Sequence, residues 1–477
     1  MSIGITSVGA YVPYYFMKRE AIGNSWETKG QKGERSVANV DEDSLTMAVE
    51  AAMGCLHFFN REQVDALFFA STTAPYAEKS NSGLIAVACD LNDDVFVSDF
   101  AHCTKAGTSA LKSAYDLVSA NHDKNVLVTA ADCRDAYPKS LQEQMFGDAA
   151  AAITIGSENV IAEIDHFTTL NYEITDLWRN AGEKYLNVGE GRFVYEMGYM
   201  KVMPAIIRKI LKQTGLQTTD IAKLIVSTPG IKEIKALAKK TGFNEEQVQE
   251  TFMLQIGNCG TAQPLLGLIN ALENANPGDK ILLADYGNGA NAFLFTVTEK
   301  AQKFGNLNLI DRFLKRRREL LSYSRYLSFK GIVEAQPGSP FKLPSSAAMT
   351  WREQDSNIRL HASKCKKCGA TIFPINRICY SCGSKDEYEQ IKASDRITKV
   401  YTFSIDNYAG RSDDPVLVQT VSEDELGTRY YNIMTDFIPS EVAVGMEVEF
   451  TFRKMHTLGN FNNYYWKLRP IRREKGC

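Results

Sequence analysis

Short apolar runs alternate with stretches of helical period in the first part of the chain. The apolar runs begin at residues 65, 95, 125 and 149 and have the lengths typical of buried strands. Before them, the segment SLTMAVEAAMGCL from Ser44 places its apolar residues at helical spacing. Alternation of this kind predicts a mostly parallel sheet that helices cover on both faces.

The same pattern recurs further along the chain. Strand-like runs KLIVSTP, TFMLQIGN, KILLADYG and AFLFTV begin at residues 223, 251, 280 and 292, and helical stretches lie near 201–213, 232–241 and 261–273. A repeat of this size indicates a duplicated α/β core. We therefore predict one half over residues 1–160 and a second half over residues 161–335, which ends in a basic helical extension.

The character of the sequence changes after this duplicated region. Residues 335–350 are rich in Pro, Gly and Ser, which is typical of a linker. Five short strand-like segments with turn signals between them then predict a small β-barrel over residues 391–477. Two cysteine pairs lie between the linker and the barrel, and we expect a separate module there, over residues 350–390.

Composition and charge narrow the class of protein. With 44% hydrophobic and 23% charged residues, the chain is neither disordered nor fibrous. It has no apolar run of membrane-spanning length and no signal-peptide pattern at its start, so we expect a cytoplasmic protein. Residues 301–477 hold 28 Lys and Arg against 20 Asp and Glu, a balance of +8. This basic excess suits the phosphates of coenzyme A or a nucleic acid, and charge alone does not decide between them.

Four cysteines stand in two Cys-x-x-Cys-Gly motifs that are ten residues apart. The spacing is that of two zinc knuckles, which together supply four thiolates to one tetrahedral Zn²⁺. Because four protein ligands leave no open coordination position, we expect a structural rather than a catalytic zinc. The predicted ligands are Cys365, Cys368, Cys379 and Cys382.

Cys103 follows a strand-like run and stands where a helix is predicted to begin. A thiol at a helix N-terminus has its pKa lowered by the unpaired N–H groups and the helix dipole, which suits a nucleophile. A free cysteine also packs as a small hydrophobic residue, so a buried structural role fits the same position. The local sequence leaves both interpretations open.

A set of motifs runs through residues 1–300 and comprises Gly4-Ile5 to Pro13, STTAPYAEK from Ser71 to Lys79, Asp99 to Leu111, DLWR from Asp176 to Arg179, Gly191-Arg192-Phe193, Gly257-Asn258 and Tyr286-Gly-Asn-Gly289. Together these motifs resemble the thiolase superfamily, and within it the hydroxymethylglutaryl-CoA synthase branch, which is close to the ketoacyl carrier-protein synthases of the third type. The resemblance implies a five-layered αβαβα core that handles acyl-CoA thioesters.

The C-terminal module carries a resemblance of its own. Its four cysteines and the intervening Phe373-Pro374 are similar to the module of zinc ribbon and oligonucleotide-binding (OB) fold that accompanies thiolases and hydroxymethylglutaryl-CoA synthases of archaea and bacteria. The resemblance implies a module that docks on the condensing enzyme and helps to hold coenzyme A.

Three positions depart from the pattern of the synthase family. The family's nucleophilic cysteine usually stands five residues after the aspartate that matches Asp99, where this chain has Thr104, so Cys103 lies one position early. Thr72 stands in place of the glutamate base, and Ser227 stands in place of a histidine. These replacements remove a general acid/base and a donor that stabilises an oxyanion.

The remaining polar groups complete the expected site. Asn258 matches the family's active-site asparagine without an offset, and we expect it to act with Cys103 and His102 in catalysis. N–H groups at the helix start and in the loop that follows Tyr286 would stabilise a thioester oxyanion. The expected substrate and oxyanion residues are Thr104, Ser227, Gly287, Gly289 and Cys259.

These features predict a homodimeric enzyme that forms or cleaves a carbon–carbon bond in CoA thioesters by a Claisen or aldol reaction, as an acyltransferase or an aldolase-type lyase. Zinc is the expected structural metal, acyl-CoA is the substrate and a separate thiolase is a candidate partner, whereas neither nucleic acid nor a membrane is expected. The altered Thr72, Thr104 and Ser227 support a second hypothesis, a catalytically degenerate protein that binds acyl-CoA or acts as a scaffold for a partner thiolase.

Overall fold

The structure is a computed structural model that describes residues 2–122, 124–305, 307–334, 346–411, 414–458 and 461–471. Two compact units make up the chain. The first comprises residues 1–39, 43–86 and 91–326, and the second comprises residues 40–42, 87–90 and 327–477. Most of the predicted linker lies outside the described residues.

The first unit alternates strands and helices along the chain. Its strands are β1 (Gly4–Tyr11), β2 (Tyr15–Lys18), β3 (Glu34–Val37), β4 (Ala66–Ala70), β5 (Phe96–Phe100), β6 (Val126–Cys133), β7 (Asp148–Gly156), β8 (Ala162–Asn171), β9 (Leu177–Trp178), β10 (Asn187–Val188), β11 (Lys223–Val226), β12 (Lys280–Tyr286), β13 (Gly289–Val297) and β14 (Arg318–Glu319). Its helices are α1 (Arg19–Ser25), α2 (Ser44–Leu56), α3 (Asn81–Ala88), α4 (Ala106–Ala120), α5 (Leu141–Met145), α6 (Gly191–Phe193), α7 (Met200–Thr214), α8 (Ile231–Thr241), α9 (Gln263–Glu273), α10 (Asp311–Leu314) and α11 (Tyr323–Phe329).

Nine strands form one sheet in the order β11-β12-β13-β8-β1-β7-β6-β4-β5. The first half of the unit supplies the side from β1 to β5, and the second half supplies β8 and β11 to β13. The two halves meet where β1 pairs with β8 over two residue pairs, Gly4 with Glu163 and Ile5 with Ala162. A Cβ atom at Gly4 would collide with the carbonyl of Ala162, so this approach of the two strands requires glycine.

Helices cover the two halves of the sheet as the hydrophobic pattern predicts. Helix α2 packs on β1, β7 and β6, while α4 and α9 contact each other between the halves. Helix α7 packs on β8, β12 and β13 and contacts α8. The two halves of the sheet are the two β layers, α4 and α9 form the helical layer between them, and α2 on one side and α7 with α8 on the other form the outer layers. This arrangement confirms the predicted five-layered αβαβα core. Helix α2 begins where the sequence indicates, because the Asp43 carboxylate accepts the N–H of Thr46 in a capping box.

Two predicted elements differ in the structure. The run 251–258 is a buried turn rather than a strand, because the N–H groups of Gln255, Ile256 and Gly257 all point to the carbonyl of Phe252. The basic extension is not one helix either. Its middle residues form β14, which pairs with β2. The N–H of Arg318 in β14 donates to the carbonyl of Tyr14, and the N–H of Leu320 after β14 donates to the carbonyl of Phe16.

The second unit contains short helices and two small sheets. Its helices are α12 (Ala347–Arg352) and α13 (Gln354–Asn357), and its strands are β15 (His361–Cys365), β16 (Thr371–Ile372), β17 (Tyr388–Lys392), β18 (Ile397–Asp406), β19 (Leu417–Glu423), β20 (Arg429–Ile433), β21 (Glu447–Leu458) and β22 (Phe461–Pro470). The last five form a sheet in the order β20-β19-β18-β21-β22, and a parallel bridge between Met434 and Leu468 brings its two outer strands together. In the described part of the chain, no helix is long and apolar enough to cross a membrane.

Two equivalent knuckles shape the ribbon that β15, β16 and β17 form. The carbonyl of Cys365 accepts the N–H of Gly369, and the carbonyl of Cys379 accepts the N–H of Gly383. Both glycines adopt left-handed backbone conformations, with φ of 77° and 73°. Glycine enters this region at little cost, so the residue after each cysteine pair permits the tight turn.

The four cysteine sulfurs of the knuckles fit a tetrahedral zinc ion. All four lie within 4.8 Å of one another, with 3.7 Å between Cys365 and Cys382 and 3.5 Å between Cys368 and Cys379. Zinc–sulfur bonds of about 2.3 Å in a tetrahedron require sulfur–sulfur distances of about 3.8 Å. The Ser384 hydroxyl lies 3.1 Å from the Cys365 sulfur, where it can orient that ligand.

A buried cluster of charges holds the second unit together. The guanidinium of Arg453, which is fully buried, forms ion pairs with Asp41, Glu42 and Asp436. Lys467 contacts the other oxygen of Asp41 at 2.8 Å. Burial by itself raises the pKa of Asp41, but Lys467 and Arg453 outweigh it and lower that pKa to about 2.

We expect removal of the metal to unfold the ribbon first, because few large apolar side chains are buried there and the metal supplies much of its folding free energy. The purified protein should contain one zinc per chain by elemental analysis. A strong chelator should increase hydrogen exchange of residues 361–392. Cys379→Ser should lose the metal, whereas Cys133→Ser in the first unit should retain it. A zinc-free protein with a protected ribbon would contradict this assignment.

We expect Arg453→Met to destabilise the protein by about 3–5 kcal/mol, because three buried carboxylates lose their shared cation. Denaturant unfolding followed by circular dichroism checks this value. Arg429→Met removes an exposed ion pair with Glu423 and should leave the unfolding midpoint nearly unchanged. Equal midpoints for the two variants would mean that the buried cluster is not a stabilising feature.

Candidate active site

Two adjoining cavities open where strands of the first unit end. The larger has a volume of about 840 Å³ and is lined by His102 and Cys103. The smaller has a volume of about 300 Å³, is mostly apolar and is lined by Ser227 and Asn258. Both are lined by Thr104, Arg134, Asp176, Leu177 and Tyr286. Ligands of α/β proteins typically bind beyond the carboxyl ends of strands, as these cavities would allow.

Cys103 lies in the turn that leads into α4. Its carbonyl accepts the N–H of Ala106 at 3.0 Å, and His102 before it has a left-handed φ of 79°. Burial raises the pKa of the Cys103 thiol above its usual value, and the ammonium of Lys105 and the N–H groups of Lys105 and Ala106 offset this only in part. The lowered pKa expected from the helix N-terminus is therefore wrong, because desolvation of the sulfur outweighs the helix contribution.

The loop after β12 packs against the start of α4. Thr104 donates its hydroxyl to the carbonyl of Tyr286 at 2.8 Å. A Cβ atom at Gly287 would lie 2.7 Å from the Thr104 hydroxyl, so only glycine permits this approach. The N–H of Gly287 donates to the carbonyl of Gly289 at 3.0 Å and is therefore engaged within its own loop.

Asp132, buried at the end of β6, connects several parts of the site. Its Oδ1 accepts the N–H and hydroxyl of Thr72 and the hydroxyls of Ser71 and Thr73. Its Oδ2 accepts the N–H and hydroxyl of Thr261, just before α9. Thr72, which replaces the expected glutamate, is therefore held as a hydrogen-bond donor to a structural carboxylate.

Asn258 is engaged by the buried guanidinium of Arg134. Arg134 Nη1 donates to Asn258 Oδ1 at 2.9 Å, and the N–H of Gly260 donates to the same oxygen at 3.1 Å. Asn258 Nδ2 donates to the carbonyl of Thr228. Arg134 also stacks over Phe146 at 4.0 Å, and burial lowers the pKa of its guanidinium. A buried cation that lines both cavities is suited to stabilise a thioester oxyanion.

Ser227 and Cys259 have different surroundings. The Ser227 hydroxyl oxygen accepts the N–H of Tyr286 at 2.7 Å, and the residue lines the smaller cavity. Cys259 lines neither cavity, and burial strongly raises the pKa of its thiol. The two helix-start cysteines, Cys103 and Cys259, thus do not face one common cavity. The four metal-binding cysteines belong to the second unit.

No motif of the sequence marks three polar residues of this region as functional: Asp132, Arg134 and Asp285. Each comes at or directly after the end of an apolar strand-like run, which is the one signal that the sequence offers. Their partners lie far away in the chain, as Asn258 lies 124 residues from Arg134. The periodicity of residues that are close together in the chain cannot predict contacts between residues that are this far apart.

Family models match two parts of the chain. The C-terminal model of 3-oxoacyl-[acyl-carrier-protein] synthase III matches residues 211–297. The model of the ChsH2 rubredoxin-like zinc ribbon domain matches residues 356–389, which include all four cysteines of the knuckles. The second match agrees with the zinc-ribbon interpretation of the sequence.

Solved structures share the fold of the first unit. A hydroxymethylglutaryl-CoA synthase complexed with CoA has a TM-score of 0.65 at 22% identity, and the match covers 72% of this chain and 95% of that one. The 3-oxoacyl-(acyl carrier protein) synthase III of Pseudomonas aeruginosa has a TM-score of 0.57 at 18% identity, covering 62% and 98%. At these identities the likeness establishes the fold alone.

Curated relatives are similar in sequence as well. The hydroxymethylglutaryl-CoA synthase of Methanopyrus kandleri is 31% identical over 341 residues, which are 69% of this chain and 97% of the relative. The synthase of Methanocaldococcus jannaschii is 32% identical over 342 residues, covering 69% and 98%. Because this similarity extends over nearly the whole of each relative, the chain belongs to the hydroxymethylglutaryl-CoA synthase family.

Proposed function

We propose that the protein is a condensing enzyme that forms or cleaves a carbon–carbon bond in acyl-CoA thioesters. The observation that carries this proposal is the similarity to hydroxymethylglutaryl-CoA synthases over 341 residues, together with the large cavity beside Cys103. One solved neighbour is in complex with CoA and another with 3-hydroxy-3-methylglutaryl coenzyme A, which supports a CoA thioester as the substrate class.

Cys103 is the nucleophile in this proposal. Its sulfur attacks the thioester carbonyl, coenzyme A leaves and takes the thiol proton, and the acyl group stays on Cys103 as a new thioester. His102 lines the same cavity, and we assign it the transfer of that proton between the two sulfurs. An enolate of a second acyl-CoA then attacks the acyl carbon, the bond from that carbon to the Cys103 sulfur breaks, and the sulfur takes back a proton as the condensed product forms. In the reverse direction, the Cys103 sulfur attacks the condensed acyl-CoA and the enolate leaves.

Arg134 and Asn258 are the groups that we assign to the oxyanion. The guanidinium lines both cavities, so it can face the thioester oxygen of an acyl group that lies between Cys103 and Ser227. Its 2.9 Å hydrogen bond to Asn258 fixes its position before substrate binds. A donor held in advance stabilises developing charge more than one that must reorganise.

We assign the second unit a role in holding coenzyme A. The resemblance of its ribbon and barrel to modules that help to hold coenzyme A supports this role. The +8 balance of residues 301–477 lies mostly in residues 301–326 of the first unit, which hold seven Lys and Arg against two Asp and Glu. The order β20-β19-β18-β21-β22 and the bridge between the outer strands support an OB-type barrel for its larger sheet. The zinc ribbon keeps this unit folded, and a separate thiolase remains its proposed partner.

The open edge of the nine-stranded sheet supports a homodimer. β5 is the last strand in the sheet order, and Phe96 on it is 61% exposed. Open edges with exposed apolar residues are places where another chain pairs. We propose a second copy of this chain as the occupant.

A second candidate function is a non-catalytic acyl-CoA binding protein. The observation that favours it is the fixation of Thr72 by Asp132 at the position of the expected base. The raised pKa of Cys103 also favours the non-catalytic candidate, because it leaves less of the nucleophilic thiolate. A covalent acyl adduct on Cys103 distinguishes the two candidates.

We expect incubation with acetyl-CoA to add one acetyl group to Cys103, seen by mass spectrometry of the intact protein and its peptides. Adduct formation should accelerate as the pH rises, because the raised pKa leaves little thiolate near neutrality. Cys103→Ala should abolish the adduct and lower turnover by more than about 1,000-fold.

The matched control is Cys259→Ala, which removes the buried thiol at the start of the other central helix. It should retain the adduct and most of the turnover. If the Cys103→Ala variant turned over within a few-fold of the unaltered protein, the covalent route would be excluded. A protein that binds acetyl-CoA without adduct or turnover would favour the non-catalytic candidate.

We expect sedimentation velocity at micromolar concentration to give twice the 53.2 kDa mass of one chain. Phe96→Glu places a charge on the open edge strand and should shift the protein towards monomer. Leu321→Glu, at a residue that is 86% exposed elsewhere in the first unit, is the control and should stay dimeric. A folded monomer before any substitution would exclude the proposed dimer.

A further inference from the structure

Asp285 is a buried carboxyl group that the proposed mechanism does not use. It lies near the end of β12, beside the end of β11, where Val226 pairs with Ala284. The N–H of Ser227 continues that ladder and donates to the carbonyl of Ala284. Neighbouring residues on paired parallel strands point to the same side of a sheet, so the side chains of Ser227 and Asp285 lie next to each other.

Hydrogen bonds orient the two side chains. Thr108 of α4 donates its hydroxyl to Asp285 Oδ2 at 2.7 Å. The Ser227 hydroxyl oxygen accepts the N–H of Tyr286, so its own proton is free for another acceptor. Asp285 Oδ1 is buried and accepts no hydrogen bond from the described residues, so the adjacent Ser227 hydroxyl can turn its proton towards that oxygen. A proton can therefore pass from the wall of the smaller cavity to a carboxylate behind it.

The surroundings of Asp285 place its titration near neutral pH. Burial raises the pKa of the carboxyl to about 7, and Thr108, Ser227 and the ammonium of Lys105 only partly offset the effect. The charge of Asp285 in turn raises the pKa of Cys103. A base that ionises near the working pH is well matched to proton transfer.

We propose that Ser227 and Asp285 form a proton relay that removes the α-proton of an acyl-CoA thioester bound in the smaller cavity. The Cα–H bond breaks and its proton goes to the Ser227 hydroxyl oxygen, which passes its own proton to the carboxylate of Asp285. The electron pair of the broken bond becomes the enolate, with its negative oxygen facing Arg134. Ser227 touches the substrate, whereas Asp285 acts through Ser227 as a positioning residue.

This relay supplies the base that the altered family positions lack. Thr72 replaces the glutamate and is engaged by Asp132. Ser227 replaces the histidine, and by itself a serine hydroxyl is too weak a base. Its contact with a carboxylate changes that, because the net proton acceptor is then Asp285. The inference rests on the proposed function, since of the two candidate functions only the carbon–carbon bond reaction needs an enolate.

Exchange of the methyl protons of acetyl-CoA for deuterium measures the relay directly. In D₂O, the full-length protein should catalyse loss of the methyl signal in proton NMR, and the rate should rise with pH through about 7 as Asp285 ionises. Asp285→Asn should slow the exchange by at least about 100-fold and abolish that rise. It should retain the acetyl adduct on Cys103, because acyl transfer needs no enolate.

The control is Glu233→Gln, which neutralises another carboxylate that lines the smaller cavity, and it should exchange like the unaltered protein. If Asp285→Asn fails to fold, Ser227→Ala tests the same relay and should lose exchange equally. Unchanged exchange with an unchanged pH profile in these variants overturns the relay. A protein that forms the Cys103 adduct without any exchange overturns the relay alone, whereas absence of both overturns the proposed function as well.

Discussion

The buried carboxylate of Asp132 is the interaction on which the site depends. It lies at the end of β6 and receives hydrogen bonds from the loop after β4 and from the start of α9, so it ties the two halves of the first unit together. Hydrogen bonds to a charged group contribute about 1.5–3 kcal/mol each. The walls of both cavities are therefore positioned by one residue that does not line either of them.

A second buried aspartate has a different environment and a different consequence. Asp285 accepts a hydrogen bond from Thr108, and its other carboxyl oxygen is buried without a partner among the described residues, beside Ser227 in the wall of an apolar cavity. Burial then determines its titration, and the group can change charge near neutral pH. Asp132 thus positions neighbouring residues through its hydrogen bonds, whereas Asp285 can accept and release a proton.

The sequence alone predicted those elements whose structure depends on residues close together in the chain. Apolar periodicity located β4 to β7 and α2, and the cysteine spacing located both knuckles, because each of these features is complete within a few residues. It failed at the run 251–258, where a buried turn has the same apolar content as a strand. It also could not place Asn258 against Arg134, or predict the raised pKa of Cys103, since both depend on residues brought together by folding.

The ion pair between Asp41 and Arg453 joins residues that are 412 positions apart. Ribosomes add about 5–20 residues each second, so Asp41 leaves the ribosome roughly 20–80 s before its partner is made. During that interval Asp41 and Glu42 have no Arg453 to pair with, so the buried charge cluster of the second unit cannot form. The second unit thus combines a segment that is made early, residues 40–42, with strands that are made last.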